Sequence, residues 1–294
     1  MSLSMRAVVG ALAITHRRSS HHSPGSVEKI VKNNKSAELP AGMYERYGGY
    51  FRRVGQANIV HLDAEDAKHP NVLVYVHGGE YRKPMTYMHW GIVDRLIKST
   101  RSSAVVPQYL LAPQHTAAEA YTVLDHTFAV AQKMARESGG KIIIAGDCAG
   151  GGLALAYMMN RRDRGLVLAD SMLLFSPWLD VTLANPEIDA IKDPLLNRAS
   201  LIQAGTSWAG AWSAQDPRIS PIYGSTANLP RTWIFQGMRD LMYPDVRQFS
   251  NLAVGAGMPL TLTVAPAAFH VYVGNKLLPE SRWAFREIGK LFSE

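Results

Sequence analysis

The stretch KIIIAGDCAGGG, Lys141 to Gly152, decides how this sequence is read. Three consecutive isoleucines suit a strand covered on both faces, and the glycine-rich turn after them ends it. LALAYMM follows directly and reads as the start of a buried helix. Gly146 and Gly150 bracket Cys148, the only cysteine of the chain. A strand-to-helix turn of this form lifts its central side chain clear of the sheet and presents it as a nucleophile, usually a serine. A small buried cysteine acting as a hydrophobe would look the same locally. Its surroundings along the chain have to decide.

Working outward, strand-like runs recur on both sides: NIVHLD (58–63), NVLVYV, SAVVPQY (103–109), KIIIAG (141–146), SMLLFS (171–176), RTWIFQG (231–237) and PLTLTVA (259–265). Most are continuous apolar runs, as expected of strands with helices on both faces. Helical stretches alternate with them at 90–101, 117–138, 152–163, 243–257 and 281–294. That alternation predicts one α/β domain with a mostly parallel, doubly wound sheet. The 294 residues suit one large domain, and 47% hydrophobic with 19% charged residues suits a sizeable core. Residues 177–230 break the rhythm and contain Trp178, Trp208 and Trp212. They are read as a crossover with an inserted cap piece. Residues 1–55 are read as a helical and loop cap with a break at Pro24 and Gly25, leaving 56–294 as the main domain. Pockets of open α/β sheets form outside the C-terminal strand ends, so both segments are expected to wall a binding site.

The net charge is +7, and residues 1–60 carry nine Lys/Arg against three Asp/Glu, so +6 of it lies there. This reads as a solvated leader or cap, with weak contact to an anionic membrane surface as the alternative. No aromatic-interleaved basic groove argues for nucleic acid. The apolar run Ala7–Ile14 has one arginine before it and Arg17–Arg18 after it, the reverse of a secretory signal, and it is too short to span a bilayer. A single cysteine gives no internal disulfide, so a cytoplasmic location is expected. His21–His22 has no matching metal partners, and GDCAGGG fits neither nucleotide-binding spacing. No metal and no cofactor is expected.

Three features fall at strand ends. In VYVHGGEY, Gly78 and Gly79 free the backbone to turn N–H groups toward an anion; in acyl transfer that anion is the tetrahedral oxyanion. In GDCAG, the N–H of Ala149 follows the nucleophile position and completes such a hole. In GMRD and AAFHVY, Asp240 ends a strand and His270 follows the next one. A nucleophile needs a base, and the base needs an orienting carboxylate. Asp245 is a rival acid, but Pro244 before it marks a helix start, so Asp240 is preferred. The order nucleophile, acid, histidine is that of α/β-hydrolases.

With these in hand the chain resembles the hormone-sensitive-lipase-like family of α/β-hydrolases, bacterial carboxylesterases included. VYVHGGEY, QYLLAPQHTAAEAY, GDCAGGGLALAY, LLFSPWLDVT, GMRDLMYPD and FHVY match in the family's order across roughly residues 70–294. The resemblance implies an eight-stranded, mostly parallel sheet with a helical cap and a carboxylic ester substrate. It puts the nucleophile at Cys148, the acid at Asp240 and the base at His270. Oxyanion donors fall on Gly78, Gly79 and Ala149, with Glu80 as a further candidate. His77 and Asp147 then order the loops around them.

Two departures stand out. Glu80 replaces a small residue and is expected to point outward or pair with Arg82 or Lys83, since a carboxylate facing the oxyanion would repel it. Cysteine replaces serine. Thiolate leaves a tetrahedral intermediate readily, and its size displaces the carbonyl, where an error of about 1 Å can cost about 100-fold. Poor turnover of alkyl esters and better turnover of activated esters, lactones or thioesters is expected. Acyl transfer, and ligand binding on a weakened hydrolase scaffold, are the alternatives.

Overall fold

The computed structural model describes residues 2–19, 35–64 and 70–293. The expected break at Pro24–Gly25 and the His21–His22 pair lie outside them. In chain order the helices are α1 (Leu3–Ser19), α2 (Ala41–Tyr47), α3 (Tyr87–Thr100), α4 (Ala117–Ser138), α5 (Cys148–Asp163), α6 (Arg198–Ala209), α7 (Tyr243–Gly255) and α8 (Pro279–Leu291). The strands are β1 (Tyr50–Val54), β2 (Ala57–Leu62), β3 (Asn71–Val76), β4 (Ser102–Gln108), β5 (Ile142–Asp147), β6 (Ser171–Phe175), β7 (Arg231–Gly237) and β8 (Leu260–Ala265). All eight form one sheet in the order β1-β2-β4-β3-β5-β6-β7-β8. β2 runs antiparallel to both β1 and β4, and every other pairing is parallel.

The continuous apolar runs became the covered strands. Every residue of β5 and of β6 is buried, and β3 is buried from Val72 onward. α4 has the bounds expected of it, closed at its start by a Thr116–Glu119 capping box and at its end by left-handed Gly139. α3 begins three residues earlier than its apolar pattern, at Tyr87, because Thr86 is boxed by His89 rather than by an acid or amide.

β1 corrects the reading of residues 1–55 as helix and loop only. YFRRV pairs with β2 through the short Gly55–Gln56 turn and so joins the sheet. All but Val54 are exposed, so no apolar alternation marked it. Elsewhere in the segment, the described helices α1 and α2 meet other helices. Met5 and Val9 of α1 are buried, and the Ser2 N–H and hydroxyl donate to Glu280 at the head of α8, both at 2.9 Å. Tyr47 of α2 donates to Asp94 of α3 at 2.9 Å. Among the described residues no helix is long and apolar enough to cross a membrane.

Residues 177–230 contain α6 between two short 3-10 turns, Pro186–Ala190 and Pro221–Tyr223. Trp208 of α6 stacks on Tyr81 with ring centroids 4.2 Å apart and planes within 2°. Trp178 stacks on the same tyrosine at 5.5 Å. The crossover thus lies against the turn that follows β3.

Candidate active site

β5 delivers Cys148 at its C-terminal end, and α5 starts on that residue. Cys148 has φ +50°, a left-handed conformation that costs a residue with a Cβ and persists where packing enforces it. The enforcing contacts are visible at the flanking glycines. A Cβ on Gly146 would sit 2.5 Å from the Gly150 carbonyl oxygen, and one on Gly150 would sit 2.1 Å from that of Val76. The glycines therefore let the turn lie against the end of β3. Gly152, read as the first helical residue, is already in the second turn; its missing Cβ admits the Trp178 carbonyl oxygen, 2.0 Å from where a Cβ would be.

Asp147 is fully buried and ties this turn to the HGG turn after β3. Its Oδ1 accepts from the Tyr75 hydroxyl at 2.5 Å and from Gly78 N–H at 3.0 Å, and its Oδ2 lies 3.5 Å from His89 Nε2. Burial opposes its charge, but His89, Tyr75 and Gly78 together hold its carboxyl below the usual range. This bond corrects one expectation: the Gly78 N–H is committed to Asp147 and cannot also face a substrate oxygen. Among the described residues, the N–H groups of Gly79, Glu80 and Ala149 make no comparable loop or side-chain bond. His77 is a loop-ordering residue in geometry as well. Its Nδ1 is 2.6 Å from the Gly78 carbonyl oxygen and its ring stacks on Tyr109 at 4.5 Å. Burial, with His89 nearby, pushes its imidazole down to about 4, so it is neutral at pH 7. The Glu80 carboxylate turns away to Arg82 at 3.0 Å and Lys83 at 2.6 Å. Arg82 in turn donates to the Ser200 hydroxyl of α6 at 2.9 Å.

His270 and Asp240 come together from the loops after β8 and β7. His270 Nδ1 lies 2.9 Å from Asp240 Oδ2, with Asp240 fully buried and His270 8% exposed. Asp240 Oδ2 also accepts from Gln236 Nε2 at 2.8 Å and Oδ1 from Met242 N–H at 3.0 Å. Burial works against an imidazolium at His270, yet Asp240 and then Cys148 overcome it and raise the group well above its ordinary value. With Nδ1 given to Asp240, His270 Nε2 has no hydrogen-bond partner of ordinary geometry among the described residues, and Cys148 acts on the same ring. The rival Asp245 lies elsewhere, in the first turn of α7, where burial first and the Asp180 charge next push its carboxyl up to about 6. Among the described residues no group of His, Cys, Asp and Glu could hold a metal ion.

Sequence reasoning missed Tyr75, His89 and Asp193. The first two meet Asp147 only because β3 and α3 fold beside β5, and Asp193 meets Asp240 only because the crossover returns to β7. No local pattern announces any of them.

A family model described as the alpha/beta hydrolase fold matches residues 73–274. The chain belongs to the α/β-hydrolase family. This α/β-hydrolase is 28% identical over 223 residues to an acetyl-hydrolase of Streptomyces hygroscopicus, covering 74% of the chain and 73% of that protein. It is 28% identical over 201 residues to a triacylglycerol lipase of Mycobacterium tuberculosis, covering 68% of the chain but 42% of the lipase, so it spans less than half of that protein's length. A hormone-sensitive-lipase homologue from a metagenome library superposes with a TM-score of 0.80 at 22% identity, over 100% of this chain and 99% of that one. An esterase/lipase from an uncultured bacterium does so equally, with a TM-score of 0.80 at 22% identity over 100% and 98%. At such identity the superpositions establish the fold.

Proposed function

We propose that this α/β-hydrolase cleaves carboxylic esters through a thioester acyl-enzyme on Cys148. Cys148 Sγ attacks the carbonyl carbon while His270 Nε2 takes the thiol proton. Asp240 holds His270 Nδ1–H and supports the imidazolium. The oxyanion is received by the N–H groups of Ala149 and Gly79, with Glu80 N–H beside them; one such donor is worth about 2.7–4 kcal/mol in the barrier. Collapse of the intermediate expels the alkoxide, which takes the proton from His270. Water then attacks the thioester, giving its proton to His270 Nε2; the carboxylic acid leaves and the thiol is restored.

The observation that carries this reading is the His270 Nδ1 to Asp240 Oδ2 contact of 2.9 Å, with Cys148 acting on the same ring. The names of the relatives, acetyl-hydrolase and triacylglycerol lipase, supply the ester class. Sulfur makes the tetrahedral intermediate revert readily when the leaving group is a poor alkoxide. Activated esters and thioesters should therefore turn over better than alkyl esters.

The test is a chain-length panel of p-nitrophenyl esters, alkyl esters and thioesters with the parent, Cys148→Ser and Cys148→Ala. Cys148→Ala should lose about 1,000-fold or more in kcat/KM. Cys148→Ser should gain on alkyl esters relative to thioesters. Full activity in Cys148→Ala would remove the nucleophile assignment. No turnover by any variant, with ligands still raising the melting temperature, would favour a binding protein on this scaffold.

A further inference from the structure

Asp193 belongs to no motif in the sequence. It sits in the crossover, between the 3-10 turn Pro186–Ala190 and α6. Its Oδ1 accepts from the N–H groups of Leu195 at 2.7 Å and Leu196 at 3.0 Å, closing its own loop into a turn. Its Oδ2 reaches out of that loop and accepts from Leu241 N–H at 2.8 Å. Leu241 follows Asp240, and the next N–H, that of Met242, goes to Asp240 Oδ1 at 3.0 Å. Two carboxylates thus divide consecutive N–H groups of one turn, and that turn aims Asp240 Oδ2 at His270.

Such a pair of carboxylates is unfavourable unless a cation faces both. Burial first and the Asp240 charge second push the Asp193 carboxyl up, while His270 and the N–H groups of Leu196 and Leu241 pull it down. The basic side chain in that set is His270, so an imidazolium there serves both acids.

We propose that Asp193 is a positioning residue of the catalytic acid: it fixes the Asp240 turn through Leu241 N–H and adds a second negative charge that favours the imidazolium form of His270. The inference rests on the acyl-enzyme reading for its kinetic consequence alone. The same carboxylate joins the crossover, which goes on to carry Trp208, to the Asp240–His270 pair.

Asp193→Asn and Asp193→Ala test it. The asparagine keeps one acceptor oxygen, loses the charge and presents an amide N–H₂ to a backbone donor; alanine removes everything. Expected is a fall in kcat of about 10-fold for Asn and about 100-fold for Ala, with KM little changed. A readout that needs no ester turnover is the imidazole titration of His270 by NMR, assigned by difference from His270→Ala, together with the pH dependence of Cys148 alkylation by iodoacetamide. Among the described residues, the charged or titratable groups that act on His270 are Asp240, Cys148 and Asp193. The titration should move to lower pH in both variants while Asp193→Asn melts near the parent temperature. An unchanged His270 titration in folded Asp193→Asn overturns the proposal even if turnover drops, because the residue is then only structural. If the parent hydrolyses nothing, titration and alkylation still decide the matter separately from the esterase reading.

Discussion

Asp240 and Asp245 lie five residues apart and meet opposite surroundings. Asp240 accepts from His270, Gln236 and Met242, whereas Asp245 Oδ2 is buried without a partner among the described residues. The sequence favoured Asp240 through strand-exit position and Pro244, and the geometry puts the histidine there. The burial of Asp245 has a consequence for stability. Its carboxyl titrates at about 6 in the fold against 3.8 when unperturbed. Between those values the native state holds a proton that the unfolded state has lost, so stability present below pH 4 falls as pH rises to 6. Asp245→Asn removes that loss and should be more stable by about 2–3 kcal/mol above pH 6, with little gain at pH 4. Urea denaturation at the two pH values checks it. His77, held at about 4, works in the other direction: its neutral form stabilises above pH 6.5, and the benefit is lost as pH falls toward 4.

At the scale of elements, the turn from β5 into α5 shows what glycine spacing can and cannot reveal. Gly146 and Gly150 are legible as a turn that presents Cys148, but Gly150 and Gly151 read as loop although α5 runs through them. Glycine disfavours a helix interior by about 1 kcal/mol, and only the fold reveals that Val76 and Trp178 carbonyls occupy the missing Cβ positions. Gly150→Ala should therefore cost about 3 kcal/mol and abolish activity by displacing Cys148. Gly91, in the interior of α3 with open space around its Cβ position, gives the contrast. Gly91→Ala should stabilise by about 0.5–1 kcal/mol with activity unchanged. Urea midpoints of the two variants separate close packing from propensity. The same logic explains β1: its side chains are exposed, so no burial pattern announced it, and the Gly55–Gln56 turn was the one signal available.

For the molecule as a whole, the most continuous apolar runs are the central strands β3, β5 and β6, because burial on both faces is what writes such a run, whereas the edge strand β8 has no fully buried residue. The C-terminal ends of the parallel strands β3, β5, β7 and β8 bring the turns carrying Gly79, Cys148, Asp240 and His270 to one edge of the sheet. Contacts made by long-range return of the chain were invisible: Gly78 N–H committed to Asp147, Asp193 behind Asp240, and Trp208 stacked over Tyr81. The central claim is that Cys148 is acylated by an ester. The most direct measurement is mass spectrometry of the protein after brief exposure to p-nitrophenyl acetate, followed by peptide mapping. One acetyl group on the peptide carrying Cys148, absent in Cys148→Ala and turning over with time in the parent, is the predicted result. Acylation at another residue, or ester hydrolysis by Cys148→Ala at the parent rate, would contradict it.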